Sequence, residues 1–87
     1  MYYVYIIESG QSGIFYKGST SDYYRRLSQH NEGINKYTKG KGPWRLIFVQ
    51  KFETRSEALA QEKKLKRCNK EYLAWLITQP VNILNSK

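Results

Sequence analysis

Apolar positions along the chain form three strand-like blocks separated by turns and helical stretches. Residues 2–8 are almost all β-branched or aromatic on both alternating faces, which predicts a strand covered on both sides and central in its sheet. A Ser-Gly-Gln-Ser-Gly turn signal precedes residues 14–16, which are predicted to pair with the first block as an antiparallel hairpin. Residues 44–52 are again apolar on both faces at their centre and predict a third strand.

Three helices are predicted from capping residues at their starts. Thr20 or Ser21 is the expected N-cap of the first helix. Thr54 and Glu57 have the spacing of a capping box, and Asn69 is the expected N-cap of the third helix. The element order β-β-α-β-α-α predicts an α+β fold with a small three-stranded mixed or antiparallel sheet flanked by helices. The predicted helices span residues 22–31, 55 to about 67, and 70–78.

Composition narrows the class of partner. The chain has 87 residues, which predicts one domain over residues 1–87. Its net charge of +8 favours polyanionic partners, of which nucleic acid is the usual one and an anionic membrane surface the other. No apolar run approaches the ~18 residues of a membrane span, so no membrane insertion is expected. The single cysteine, Cys68, excludes an intrachain disulfide and predicts a reducing cytoplasm.

A basic, glycine-rich segment at residues 33–43 separates the first helix from the third strand. It contains Lys36, Lys39, Lys41 and Tyr37. Lysines with an aromatic ring on a flexible loop suit an element that follows a nucleic-acid backbone. An ordinary solvated loop explains the same composition.

One acid lies on the apolar side of the second predicted helix. With Ala58 placed at 0° and about 100° per residue, Leu65 falls near −20°, Leu59 near 100° and Glu62 between them, near 40°. A carboxylate inside an apolar stripe is costly unless it is paired, bound to a metal or open to a cleft. Two interpretations follow, namely an ion pair with a neighbouring Lys or Arg and a Mg²⁺ ligand.

A second set of candidate residues is concentrated in residues 16–30, which are predicted as a strand end, a turn at Gly18 and the first helix. Arg26 and His30 are four residues apart and therefore lie on the same side of that helix. With Tyr5 and Tyr16 at the strands, they form a plausible phosphate-handling group. Each of them also has an ordinary interpretation, since the tyrosines suit a core and the helix residues suit a solvated face.

Taken together, these residues resemble the GIY-YIG nuclease domain. Residues 3–5 (Tyr-Val-Tyr) stand at the family's first triplet and residues 16–18 (Tyr-Lys-Gly) at its second. Arg26, His30 and Glu62 follow at the family's arginine, histidine and glutamate positions. The resemblance covers essentially the whole chain and implies the α+β fold predicted above.

The sequence is most similar to the small, stand-alone, single-domain members of that family in bacteria. The segments at residues 37–44 and 54–59 carry this similarity. Two positions depart from the family pattern. Tyr3 replaces the glycine of the first triplet, and Lys17 replaces the isoleucine of the second.

The resemblance implies a divalent-metal-dependent DNA endonuclease that hydrolyses phosphodiester bonds, with DNA repair or recombination as its setting. Glu62 would anchor Mg²⁺ or Mn²⁺, and Arg26 would neutralise charge on the phosphate. Tyr5 or Tyr16 would accept a proton from the attacking water. Because a free tyrosine, with a pKa of about 10, is a poor base at neutral pH, it would need help from the metal, from Lys17 or from His30.

The remaining expectations concern binding and specificity. The family's C-terminal asparagine is assigned to Asn82, with Asn85 and Asn69 as alternatives. A non-catalytic or partner-dependent nucleic-acid-binding module is the competing interpretation, in which another protein supplies specificity. The basic residues expected to contact nucleic acid are Lys17, Arg25, Lys36, Lys39, Lys41 and Arg45.

Overall fold

The computed structural model describes residues 1–85, so the last two residues of the predicted domain lie outside the described part. The three strands and three helices follow the predicted order β-β-α-β-α-α, which confirms the α+β fold. A short 3₁₀ helix at Ile83–Asn85 follows the last α-helix. The elements are β1 (Tyr2–Ser9), β2 (Phe15–Thr20), α1 (Tyr23–Asn31), β3 (Trp44–Phe52), α2 (Arg55–Leu65) and α3 (Lys70–Ile77).

The sheet is wholly antiparallel, with strand order β2-β1-β3. β1 is therefore the central strand, as its two apolar faces predicted. Tyr5 lies in register with Gly18 on β2 and with Val49 on β3. The β1–β3 register shifts by one between Ile6 and Ile7, which leaves Ile47 as an extra residue in β3, a β-bulge.

Each face of the sheet buries a separate group of side chains. On one face, Val4 and Ile6 pack with Phe48 of β3 and with Ala58 and Leu65 of α2. Leu73 and Leu76 of α3 close the same side. Because alternate β1 residues point to opposite faces, the other face receives Tyr5, Ile7, Val49 and Trp44, which pack with residues of α1 and the 3₁₀ helix.

The start of α1 corrects two predictions. The N-cap is Asp22, whose side chain accepts a hydrogen bond from the backbone N–H of Arg25 at 3.0 Å, and neither Ser21 nor Thr20 has this role. Thr20 instead accepts a hydrogen bond from the backbone N–H of Asp22 and shapes the turn before the helix. Gly18 is not in a turn, because β2 stays paired with β1 as far as Thr20.

The later helices start where their caps predicted. Thr54 and Glu57 form the full capping box of α2, and Asn69 accepts a hydrogen bond from the backbone N–H of Tyr72 at the start of α3. α2 ends at Leu65, two or three residues before the predicted end. Within the described residues, no helix has the length and apolar character needed to cross a membrane.

Candidate active site

Glu62 lies at the edge of the buried face of α2, because Leu59, which was expected to bound the apolar stripe on its other side, is 44% exposed. Ala58 and Leu65 of the same helix are buried against the sheet, and only 17% of the Glu62 side chain is exposed. Two donors hold its carboxylate. The Ser19 hydroxyl donates a hydrogen bond to Oε1 at 2.6 Å, and the Lys66 ammonium lies 2.9 Å from Oε2. A half-buried carboxylate is thus fixed between a β2 side chain and its i+4 neighbour on α2.

Tyr5, His30 and Thr38 form a buried hydrogen-bonded chain. The Tyr5 hydroxyl is 2.8 Å from Nε2 of His30, and the Thr38 hydroxyl is 2.8 Å from Nδ1. Thr38 donates its own proton to the backbone carbonyl of Asn35, so its oxygen accepts from Nδ1–H of His30. Nε2 is then unprotonated and accepts the Tyr5 O–H. His30 is therefore oriented to take a proton from Tyr5.

Burial sets the protonation states of this chain. Burial raises the pKa of Tyr5, and the nearby Arg26 guanidinium opposes that rise only in part. Burial also lowers the pKa of His30, and Arg26 lowers it further. Tyr5 is therefore a neutral phenol and His30 a neutral imidazole at pH 7. A neutral imidazole is the form that can act as a base.

Arg26 and Tyr16 lie beside this chain. Nε of Arg26 is buried and has no hydrogen-bond partner within residues 1–85, while its Nη1 donates to Gln29 at 3.2 Å. The Tyr16 ring packs edge-on against His30, with ring centroids 5.0 Å apart. Tyr5, Tyr16, Arg26 and His30 therefore lie together on the α1 side of the sheet. Glu62 lies on the other side, because its partner Ser19 is in register with Val4 and shares the α2 face.

The absence of a side chain at Gly18 leaves the space that the Tyr5 ring occupies. A Cβ at position 18 would lie 2.5 Å from the Tyr5 hydroxyl oxygen and 2.6 Å from Cζ. Real Cβ atoms do not approach other atoms so closely, so any side chain at this position displaces the ring. The glycine is needed here for close approach and not for a turn.

We expect Gly18→Ala to lower the free energy of unfolding by about 1–3 kcal/mol, because the ring must leave its position. The Tyr5–His30 hydrogen bond should be lost with it. Chemical denaturation of Gly18→Ala, Tyr5→Leu and the double variant measures the coupling. Removing the ring should relieve the clash, so the double variant should be less destabilised than the sum of the two single changes. Additive losses would contradict the contact.

We also expect stability to fall as the pH drops below about 6.5, the ordinary pKa of histidine. The pKa of His30 is lower in the folded protein than in the unfolded chain, so the unfolded chain binds more protons in this range. His30 is the only histidine, which makes it the source of any slope between about pH 6.5 and the onset of carboxylate titration. Denaturation across this range measures the slope, and His30→Gln should remove it.

The basic residues that were predicted to contact nucleic acid are spread over several elements of the fold. Arg25, Lys36, Lys39, Lys41 and Arg45 are exposed, and Lys17 is half-buried on β2. Lys17 and Ser19 point to the α2 face of the sheet, opposite to Tyr16. Arg45 forms an ion pair with Glu8, 2.6 Å apart, three β1 positions from Tyr5. The structure therefore places Arg45 about 10 Å along the strand from the tyrosine site.

Asn82 is buried, and its amide is fully used within the fold. Oδ1 accepts the backbone N–H groups of Val49 and Leu84 at 3.1 Å each. Nδ2 donates to the carbonyls of Ile47 and Ile77 at 3.0 and 2.9 Å. The side chain thus bridges the β3 bulge and the end of α3. The alternatives Asn69 and Asn85 are exposed, the first as the α3 cap.

Sequence reasoning missed three residues of this site. Thr38 lies in the basic loop that was assigned to nucleic-acid binding, and no local pattern indicates its contact with His30. Ser19 reaches Glu62 across 43 residues of sequence. Lys66 could have been found, because a Lys four residues after Glu62 has the spacing of a helix ion pair. That pair is one of the two interpretations that the sequence left open.

The donor set at Glu62 fits a hard divalent cation. No cluster of three or more His, Cys, Asp or Glu side chains occurs in the described residues, which disfavours a site built from protein ligands alone. Mg²⁺ is commonly held by one or two carboxylates together with water and substrate phosphates. Glu62 supplies the carboxylate, and the Ser19 hydroxyl is a second oxygen beside it.

Comparisons with known proteins identify the family of this chain. A family model described as the GIY-YIG catalytic domain matches residues 1–73. A UPF0213 protein of Halobacterium salinarum is 42% identical over 77 residues, covering 84% of this chain and 99% of the relative. A UPF0213 protein of Listeria monocytogenes is 44% identical over 80 residues, covering 87% and 86%. The solution NMR structure of a UPF0213 protein from Bacillus halodurans matches with a TM-score of 0.59 and 35% identity, covering 93% of this chain and 87% of that one.

Proposed function

Since the chain belongs to the GIY-YIG catalytic domain family, a family of nucleases, we propose that it is a divalent-metal-dependent DNA endonuclease. The observation that carries this proposal is the hydrogen bond from Tyr5 to Nε2 of His30, made beside Arg26 and within electrostatic range of Glu62. It puts a proton acceptor beside a phosphate-binding cation, and the proposed metal ligand lies across the edge strand β2, on the other face of the sheet. We propose residues 1–87 as one catalytic domain working in a reducing cytoplasm.

The metal is assigned to Glu62. Mg²⁺ or Mn²⁺ bound there would withdraw electron density from a non-bridging phosphate oxygen and stabilise charge on the leaving 3′ oxygen. Ser19 would keep the carboxylate in one orientation by its hydrogen bond to Oε1. The burial of Glu62 between β2 and α2 limits the approach of water and strengthens its attraction for a cation.

Arg26 is assigned to the phosphate. Its Nε has no partner within the described residues, and its charge lies beside the Tyr5 hydroxyl. A guanidinium can donate two parallel hydrogen bonds to phosphate oxygens, which positions the phosphodiester and offsets charge that grows during attack.

Tyr5 and His30 are assigned to proton transfer. As the water oxygen attacks phosphorus, its proton passes to the Tyr5 oxygen while the phenolic proton passes to Nε2 of His30. His30 then carries the charge, and Nδ1–H keeps its bond to Thr38. Because the two proton transfers are linked, Tyr5 does not have to become a phenolate, the form that its raised pKa disfavours. Tyr16, packed on His30, orients the water or the phosphate.

Binding is assigned to the exposed basic residues, above all those of the loop at residues 33–43. That loop is anchored at the site, because the indole N–H of Trp44 donates to the carbonyl of Thr38 at 3.1 Å. DNA repair or recombination is the proposed setting, and a protein partner is the proposed source of specificity. Lys36, Lys39 and Lys41 are the loop cations.

A cleavage assay tests the proposal. Labelled duplex, flap, junction and single-stranded DNA are incubated with the protein in Mg²⁺, Mn²⁺ or chelator. Cutting that needs the metal supports the nuclease and identifies the substrate. Salt-sensitive binding without product on any substrate would instead support the non-catalytic or partner-dependent binding module.

A further inference from the structure

The cation already beside Glu62 is the ammonium of Lys66. It lies 2.9 Å from Oε2, while Ser19 occupies Oε1 from the opposite element. The two carboxylate oxygens are therefore used unequally. One is bound by a hydroxyl of the folded sheet, and the other by the tip of a flexible side chain on the same helix.

We propose that Lys66 is a placeholder for the metal, holding Oε2 of Glu62 until a divalent cation displaces it. This inference rests on the proposed function, because it takes Glu62 as the metal ligand. Lys66 is a positioning residue in this scheme, since it acts through Glu62 and not on the phosphate.

Burial explains why Glu62 needs such a residue. Its side chain is 17% exposed, and a carboxylate so enclosed would be destabilised if it had no counter-charge. The ammonium neutralises it and, together with Ser19, keeps both oxygens in the position in which they would bind a metal. The site is thereby organised before the metal arrives.

Exposure explains why Lys66 can leave. Its side chain is 54% exposed and joined to the helix by four methylene groups, so it regains freedom and hydration when it is displaced. Both cations meet the same partly buried carboxylate, and a divalent ion is attracted by twice the charge of the ammonium. Displacement is therefore favoured once the metal concentration is sufficient.

The scheme predicts opposite changes in two measurements. Lys66→Met should bind Mn²⁺ about three- to tenfold more tightly than the parent, because the competing ammonium and its repulsion of the metal are both removed. The same variant, without metal, should unfold at a slightly lower denaturant concentration, because Glu62 loses its partner. A residue with a structural role alone would lower stability and leave Mn²⁺ binding unchanged.

Mn²⁺ titration of ¹⁵N-labelled protein, followed by paramagnetic broadening of amide signals near Ser19 and Glu62, measures the affinity without any DNA or turnover. Lys64→Met is the matched control. It removes the same charge from the same helix, and Lys64 makes no ion pair within residues 1–85. Lys66→Arg keeps a cation at the site and should bind Mn²⁺ no more tightly than the parent.

The outcomes separate this inference from the proposed function. Tighter binding by Lys66→Met than by Lys64→Met supports the placeholder. If the parent binds Mn²⁺ as tightly as Lys66→Met or more tightly, Lys66 is not a placeholder, and Glu62 remains the metal ligand. Absence of broadening near Glu62 in every protein overturns both. Glu62→Gln, which should abolish the broadening, identifies the site in the parent.

Discussion

Glu62→Gln should abolish metal-dependent cleavage while the protein stays folded. Gln keeps an oxygen that can accept the Ser19 hydrogen bond and nearly the same shape, but it loses the charge that would hold the metal. We expect the cleavage rate to fall by at least about a hundredfold, the scale of losing a group that organises charge in the transition state. The lost pair with Lys66 is largely exposed on the lysine side, so the free energy of unfolding should change by less than about 1 kcal/mol.

Glu57→Gln is the matched control for this change. It makes the same substitution on the same helix, at an exposed residue whose side chain belongs to the capping box. Gln can still accept the bond from the Thr54 backbone, so both stability and cleavage should stay near those of the parent. Cleavage by Glu62→Gln at the parental rate would refute the assigned role of Glu62.

Asn82→Ala should destabilise the protein more than either Gly18→Ala or Glu62→Gln. The alanine leaves the N–H groups of Val49 and Leu84 and the carbonyl of Ile47 without a partner. The Ile77 carbonyl keeps one donor, the side chain of Asn85. The Val49 bond is buried and the other two are partly buried, so at about 1–3 kcal/mol for the first group and less for each of the others we expect a loss of about 3 kcal/mol. In a chain of this size the midpoint of thermal unfolding should drop by more than about 10 °C.

Asn85→Ala separates this effect from a general weakening of the C-terminal segment. Its amide also bonds to carbonyls at the end of α3, but the residue is exposed and should cost less than about 1 kcal/mol. The comparison also tests the assignment of Asn82 to the catalytic site. An Asn82→Ala protein with parental thermal stability and lost cleavage would place the asparagine in the chemistry and not in the fold.

The sequence was sufficient for features that depend on period and local chemistry. Two apolar faces identified β1 as the central strand, and capping residues located the starts of α2 and α3. The helical period placed Glu62 beside the buried positions Ala58 and Leu65 of α2, but it wrongly buried Leu59 on the other side. The strand ladder and the helix geometry repeat regularly, so a short window of sequence contains the information.

The sequence was not sufficient where a distant side chain decides the outcome. Gly18 was predicted in a turn because glycine usually marks one, whereas its reason is the ring of Tyr5 on the neighbouring strand. The cap of α1 was placed too early because three polar residues in succession compete for that role, and only the continued β2 ladder selects Asp22. The contacts of Thr38 and Ser19 depend on tertiary packing in the same way.

Asn82 also has a consequence for biosynthesis. It bonds to the Ile47 carbonyl at the β3 bulge from 35 residues further along the chain, so this contact forms only after the segment that follows α3 has been synthesised, although β3 can already pair with β1. The hydrogen bond from Ser19 to Glu62 likewise forms only after a residue 43 positions later has been synthesised. A growing polypeptide therefore lacks the Ser19–Glu62 contact until α2 has been translated, and the Asn82 contacts until the segment after α3 has been translated.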